Sequence, residues 1–314
     1  MIEEAGKSCS SASDSVHNME KLIRFDWAIK KLLRNKANFD ILEGFLSAIF
    51  HDDVTVVSVL ESEGNKEDDT DKFNRVDLLV QNADEELILI EVQVQAEYDF
   101  FQRLAYGASK LITEYIEQGQ AYKEIKKVLC VGVTYFDLGE GEDYLYYGST
   151  QFIGVHAKDT LAFTKKQAEL FGTQTIRKIF PEYYLIRVEK FSDDVHEAID
   201  EWIYMLKHSE VKPEFTSKHI HNASEKLRVM NLDNAQRQAY DSYMQNMSYK
   251  QSMLWSSRVE GIEEGELRGE ERGQRKEKVV IARNLLAHQI AHDIIASSTG
   301  LTLEEIAQLQ PENG

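Results

Sequence analysis

The chain has 314 residues, enough for one sizeable hydrophobic core and a smaller appendage. A hydrophobic share of 42% with 10% aromatics excludes a disordered chain, and its two cysteines, Cys9 and Cys130, exclude a disulfide framework or a cysteine zinc site. A net charge of −18 excludes indiscriminate adhesion to nucleic acid, because phosphate contacts supply most of that affinity; a polyanion would have to meet a locally basic face.

In chain order, residues 1–18 read as a loose polar tail, in which Gly6-Lys7-Ser8 lacks the upstream glycine and strand of a phosphate-binding loop. The start of the chain has no basic and apolar leader, and no run of about eighteen apolar residues could span a bilayer, so a cytoplasmic protein without membrane contact is expected. Residues 19–210 are expected to form the main domain. Phe25 to Phe50 reads as two helices, or one helix broken near Asn35 to Asn38, and it carries the basic cluster Lys30, Lys31, Arg34 and Lys36. Further basic clusters occur at Lys123, Lys126 and Lys127, and at Lys165, Lys166, Arg177 and Lys178. Val54 to Leu60 reads as a strand and Glu61 to Lys72 as a charged loop.

Two apolar stretches follow, each interrupted by polar side chains. Asp77 lies in Val76-Asp77-Leu78-Leu79-Val80, and Glu91 and Gln93 close Leu87-Ile88-Leu89-Ile90-Glu91-Val92-Gln93. Burying a carboxylate on an apolar strand costs several kcal/mol unless a cation or donors compensate, so two on neighbouring strands point to a divalent-metal site. The period of two puts Glu91 and Gln93 on one face and Ile90 and Val92 on the other. Gln81 to Glu86 is polar and rich in turn formers, which predicts a hairpin bringing Asp77 opposite the neighbourhood of Glu91. A slip of one residue would put Asp77 on the wrong face, so the co-facing of the three side chains is an expectation for the structure to test. The Val92 carbonyl, between the two functional side chains, offers a further oxygen ligand.

Next, apolar residues recur at helical spacing from Tyr98 to Gly119, through Phe100, Phe101, Leu104, Ala105, Ala108, Leu111, Ile112, Tyr115 and Ile116. Lys127 to Phe136 is a largely apolar strand, Tyr144 to Val155 a strand pair, Phe180 to Val188 a late strand, and the chain from Ala198 to Leu206 and beyond is helical. Residues 211–258 read as a helical extension. Residues 259–275, with Gly261, Gly265, Gly269 and Gly273 every four residues, are either a soft linker or a helix whose small stripe packs on a partner. Residues 276–314 read as a small helical module, with Thr302 and Glu305 spaced as a capping box and few basic residues, which favours protein contact over the groove reading of a helix-turn-helix. His219 with His221, and His288 with His292, lack a third metal ligand, and no nucleophile arrangement or organic-cofactor motif is recognisable.

The order of these motifs resembles the core of the PD-(D/E)XK nuclease superfamily: an acidic helix, Asp, Glu-x-Gln on the next strand, a helix and a parallel strand. More narrowly, several segments look like the Rpn family of recombination-promoting nucleases. They are Phe25 to Arg34, Leu42-Glu43-Gly44-Phe45-Leu46, Asp71 to Asp77, Ile90-Glu91-Val92-Gln93, Arg103 with Tyr106, and Gly119-x-x-Tyr122. The resemblance runs from about Phe25 to Tyr135 and resumes in the glutamate–glycine repeats. It implies an α/β restriction-endonuclease-like core, a mixed central sheet flanked by helices, with a C-terminal helical extension. It further implies a metal-dependent DNA endonuclease associated with recombination or transposition, using Mg²⁺ or Mn²⁺.

By this resemblance Asp77 and Glu91 are metal ligands, Glu43 is the acidic residue of the first helix, and Gln93 stands where many relatives have lysine. Arg103 is then a phosphate contact, with Lys30 and Arg34 as further nucleic-acid contacts. A neutral amide can only donate or accept hydrogen bonds, whereas lysine can offset developing negative charge. The alternative is a catalytically weak or inactive nuclease-fold protein that acts through protein contacts. A homodimer through the glycine-spaced segment is expected by analogy with nucleases that cut both strands.

Overall fold

The protein is described by a computed structural model covering residues 22–60, 77–116 and 121–309. The expected tail, the charged loop after Leu60, the Asp71 to Val76 motif and the Gly119 stop lie outside the described residues. Two units make up the chain, residues 1–235 and residues 236–314.

The first unit begins with α1, Phe25–Lys31, and α2, Phe39–Phe50, separated by a short turn in which the Asn35 side chain accepts the Ala37 N–H. The break at Asn35 to Asn38 is therefore real: asparagine bonds its own backbone in place of helix continuation. Helix α2 ends where His51 turns left-handed. Gly44 is required by close approach, since a Cβ there would run into the Lys218 carbonyl and lie 2.6 Å from the Trp202 ring.

A six-stranded sheet follows: β1 Val56–Leu60, β2 Leu78–Asn82, β3 Leu87–Gln93, β4 Val128–Thr134, β5 Leu145–Gly148 and β6 Glu182–Arg187. Its spatial order is β1-β2-β3-β4-β6-β5. Strands β3, β4 and β6 are parallel to one another, while β1–β2, β2–β3 and β5–β6 pair antiparallel. This is the mixed sheet flanked by helices that the resemblance implies. Only β5 forms from the expected Tyr144 to Val155 strand pair; Ile153 makes a single isolated bridge to Thr160.

The β2–β3 hairpin closes as its turn formers dictate: the Asn82 side chain accepts the Glu86 N–H, and Glu85 takes a positive φ. The resulting register pairs Leu78 with Ile90 and Leu79 with Leu89. Strand β4 is buried throughout, and β3 is buried up to Val92, as expected of parallel strands covered on both faces.

Helix α3, Phe100–Glu114, covers one face of β3 and β4: Ala108 and Leu111 pack with Leu89 and Cys130, and Leu104 with Phe100 and Leu138. Phe101 and Ala105, expected in the apolar stripe, are exposed; the buried face runs through Phe100, Leu104, Gly107, Ala108 and Leu111 instead. The unit is completed by α4 Lys165–Phe171, α5 Ala198–His208 and α6 Ile220–Lys226. Buried Phe215, Ile220, Ala223 and Leu227, with contacts between α2 and α6, tie residues after 210 into this unit's core.

The second unit holds nearly all of α7, Asn234–Ala287, a 54-residue helix, then α8 His292–Thr299 and α9 Leu303–Gln308. The glutamate–glycine segment is thus helix, and a Cβ at Gly261, Gly265, Gly269 or Gly273 would meet open space. Pairs such as Glu264 with Arg268 one turn later support it. Ala282, Ile295, Leu301 and Ile306 form a small core, and the Thr302–Glu305 capping box starts α9. No described helix is long and apolar enough to cross a membrane.

Candidate active site

The register of β2 with β3, continued one residue outward, sets Asp77 beside Glu91. Alternation sends Asp77 and Leu79 of the first segment, and Leu89, Glu91 and Gln93 of the second, to the face covered by α3. Asp77 Oδ2 accepts the Val92 N–H at 2.8 Å, which ties the start of β2 to the end of β3. In an extended strand the N–H and C=O of one residue leave on the same side, so the Val92 carbonyl leaves β3 on the β2 side as well.

Cations arrive from three directions. Lys30, at the end of α1, lies 3.1 Å from Asp77 Oδ1. Arg34 donates to the Asp77 backbone carbonyl at 2.8 Å. Arg103 of α3 places Nη2 3.3 Å from Glu91 Oε2 and Nη1 3.1 Å from Glu97 Oε2. The sequence therefore named two carboxylates and three basic residues that the fold brings to one place. The carboxylates are deep, with side chains 10% exposed for Asp77 and 7% for Glu91, whereas Lys30 at 46% and Arg103 at 33% form a rim open to solvent.

Burial, then the neighbouring Asp77 charge, pushes the Glu91 carboxyl up to about 8, against the pull of Arg103 and Lys30. The Arg103 guanidinium is raised: the surrounding Glu91 and Glu97 charges outweigh its partial burial, which acts in the opposite sense. One ion pair at 3.3 Å leaves Glu91 short of compensation, so added positive charge is stabilising at this point.

Glu43 stands apart from this cluster. Its Oε1 accepts the Val56 N–H at 2.9 Å, joining α2 to the start of β1, and no contact links it to Asp77 or Glu91. Gln93, half buried, donates from Nε2 to Glu97 Oε1 at 2.6 Å. Glu97 was not singled out from the sequence. Its signal was a carboxylate in the loop between the Glu-x-Gln strand and the helix bearing Arg103, four residues after Gln93.

Among the described residues no group of three or more His, Cys, Asp or Glu is placed to hold a metal. Two carboxylates and a backbone carbonyl nevertheless suit a small hard cation that keeps several waters, as Mg²⁺ does. The donor chemistry and the under-compensated Glu91 fit such an ion.

Residues 23–256 match the model of a family described as PD-(D/E)XK nuclease family transposase. No curated protein and no solved structure matches the chain. With the sheet topology, the facing Asp77 and Glu91 and a family match spanning well over half of its length, the chain belongs to the PD-(D/E)XK nuclease family transposases.

Proposed function

We propose that the chain is a metal-dependent DNA endonuclease serving recombination or transposition, with Mg²⁺ or Mn²⁺ held by Asp77, Glu91 and the Val92 carbonyl. The observation that carries this reading is the pair of facing, nearly buried carboxylates, each against one cationic side chain beneath a solvent-accessible rim. When bound, such an ion acidifies the attacking water and offsets charge on the phosphate.

The chain's own residues do the remaining work. Glu91 must first release its proton, because only the carboxylate competes for a cation. Lys30, whose partner Asp77 is then neutralised from the other side, and Arg103, released from Glu91 but still held by Glu97, face the non-bridging phosphate oxygens, where charge-assisted hydrogen bonds are strong. Arg34 anchors the backbone at Asp77 and so holds that carboxylate in place. These basic groups supply the local positive face that an overall charge of −18 otherwise denies a polyanion.

Digestion of supercoiled plasmid with Mg²⁺ or Mn²⁺ tests the reading. Asp77→Asn and Glu91→Gln should each slow cleavage about a thousandfold, the equivalent of about 4 kcal/mol of charge stabilisation. Folded wild type that leaves all DNA intact, or variants that cut as fast as wild type, would overturn it.

A second copy of the chain is the partner that α7 fits. An antiparallel register centred on Gly269 sets Glu266 against Arg272, the two charged residues that flank the glycine stripe at about 60° around the helix from Gly269. Gly265 meets Gly273, Gly269 meets its own copy, and no like charges share a level between residues 260 and 278. Exposed Leu254, Trp255 and Ile262 extend this face with apolar area. Light scattering should report a dimer that Arg272→Glu converts to monomer; a wild-type monomer at all concentrations would remove this part.

A further inference from the structure

The loop between β3 and α3 carries Glu97, whose carboxylate is shared between strand and helix. Its Oε1 accepts from Gln93 Nε2 at 2.6 Å and its Oε2 from Arg103 Nη1 at 3.1 Å. A glutamine amide has one donor end and one acceptor end of nearly the same shape, and their placement decides what the residue can do. Here chemistry fixes the placement: only the NH₂ end can sit at hydrogen-bond distance from a carboxylate, because a carbonyl there would set oxygen lone pairs against each other. The Gln93 carbonyl oxygen accepts no hydrogen bond among the described residues, and the side chain shares a face of β3 with Glu91.

We propose that Glu97 is a positioning residue that locks the Gln93 amide in this orientation, so that Gln93 presents an oxygen acceptor to the attacking water. Gln93 then orients that water by accepting one of its protons in a hydrogen bond, and offers no donor to the phosphate. Positive charge at this edge comes from Arg103, held by the other oxygen of the same carboxylate. One acidic side chain thus sets both the polarity of Gln93 and the position of the guanidinium. The inference rests on the nuclease reading above, and its test separates the two.

The decisive experiment exchanges the pair. Glu97→Gln alone allows the amide to flip, and Gln93→Glu alone sets two carboxylates together; each should lower kcat about 10- to 100-fold, the range for losing a supporting partner, with DNA KM little changed. The double variant Gln93→Glu with Glu97→Gln restores a donor facing an acceptor and keeps an oxygen at position 93, so its kcat should recover. Gln93→Lys, which offers only donors, should not recover in any background. Activity in Gln93→Lys equal to wild type, or a double variant no better than the singles, overturns the inference.

A second measurement needs no activity. The Gln93 side-chain NH₂ pair, assigned in a ¹H–¹⁵N spectrum by its loss in Gln93→Glu, should have one proton shifted downfield by the carboxylate and should return to solvent-like values in Glu97→Ala. An unshifted pair in wild type overturns the inference whether or not the protein cuts DNA. A shifted pair in a wild type that cuts no DNA keeps the Glu97 lock and overturns the catalytic role for Gln93 together with the nuclease reading.

Discussion

The two ends of the central sheet each bury a carboxylate beside a cation, with opposite outcomes. At the end where β4 and β6 begin, Glu182 meets Lys127 Nζ at 2.7 Å and the Tyr147 hydroxyl at 2.8 Å, and Lys127 also donates to the Phe180 carbonyl at 2.6 Å. Every charge there has close partners, and the pair knits β4 to β6. At the other end, Glu91 has one guanidinium at 3.3 Å and a second carboxylate nearby, and its proton is held up to about 8. Burial of an acid alone does not single out a functional site; burial with too little compensation is what sets Glu91 apart from Glu182. The first arrangement knits two strands together, and the second leaves Glu91 short of positive charge, which the proposed divalent ion would supply.

This contrast can be broken by substitution. Lys127→Met leaves Glu182 buried without its main counter-charge and should cost about 3 kcal/mol in urea unfolding, the scale for breaking a buried pair. Glu91→Gln, which removes an under-compensated carboxylate, should leave stability unchanged or slightly raised in the absence of metal. Equal losses for the two variants would mean that the two ends are alike and that Glu91 is structural.

A smaller effect follows from pH. The folded Glu91 carboxyl is raised from 4.5 to about 8, so the native state keeps a proton that the unfolded chain has released. Its contribution to stability is fully present below about 4.5 and is lost as pH rises through about 8. Melting curves between about pH 5 and pH 9 without divalent ions should show this decline, and Glu91→Gln should flatten it. Addition of Mg²⁺ should stabilise the protein more as the pH rises toward 8, because the ion displaces that proton. A magnesium effect independent of pH would separate Glu91 from the ion.

Much of this was legible in the residues. The turn formers of Gln81 to Glu86 announced the hairpin, while the register that lines up Asp77 with Glu91 stayed open in the residues, since a slip of one would reverse the face, and the fold decided it. The break between α1 and α2 was written in Asn35, and the start of α9 in Thr302 and Glu305. The exposed side of α3 was misjudged at Phe101 and Ala105, because an apolar residue on a helix flank reads like a core residue until the sheet beneath is placed. The glycine-spaced segment stayed open between linker and helix, since the penalty of about 1 kcal/mol per glycine competes with charge pairs one turn apart that only a formed helix can make.

Sequence alone determined the identity of the paired acids and the side of the strand on which Glu91 and Gln93 lie, because strand alternation is a local property of the backbone. The tertiary structure decided which groups meet them: Lys30 on α1, Arg103 on α3 and Glu97 in the loop between. It also decided that Glu43 serves the start of β1 and not the acidic pair. Those contacts depend on how helices dock across strands far apart in the chain, and the docking is set by core packing that no local pattern encodes.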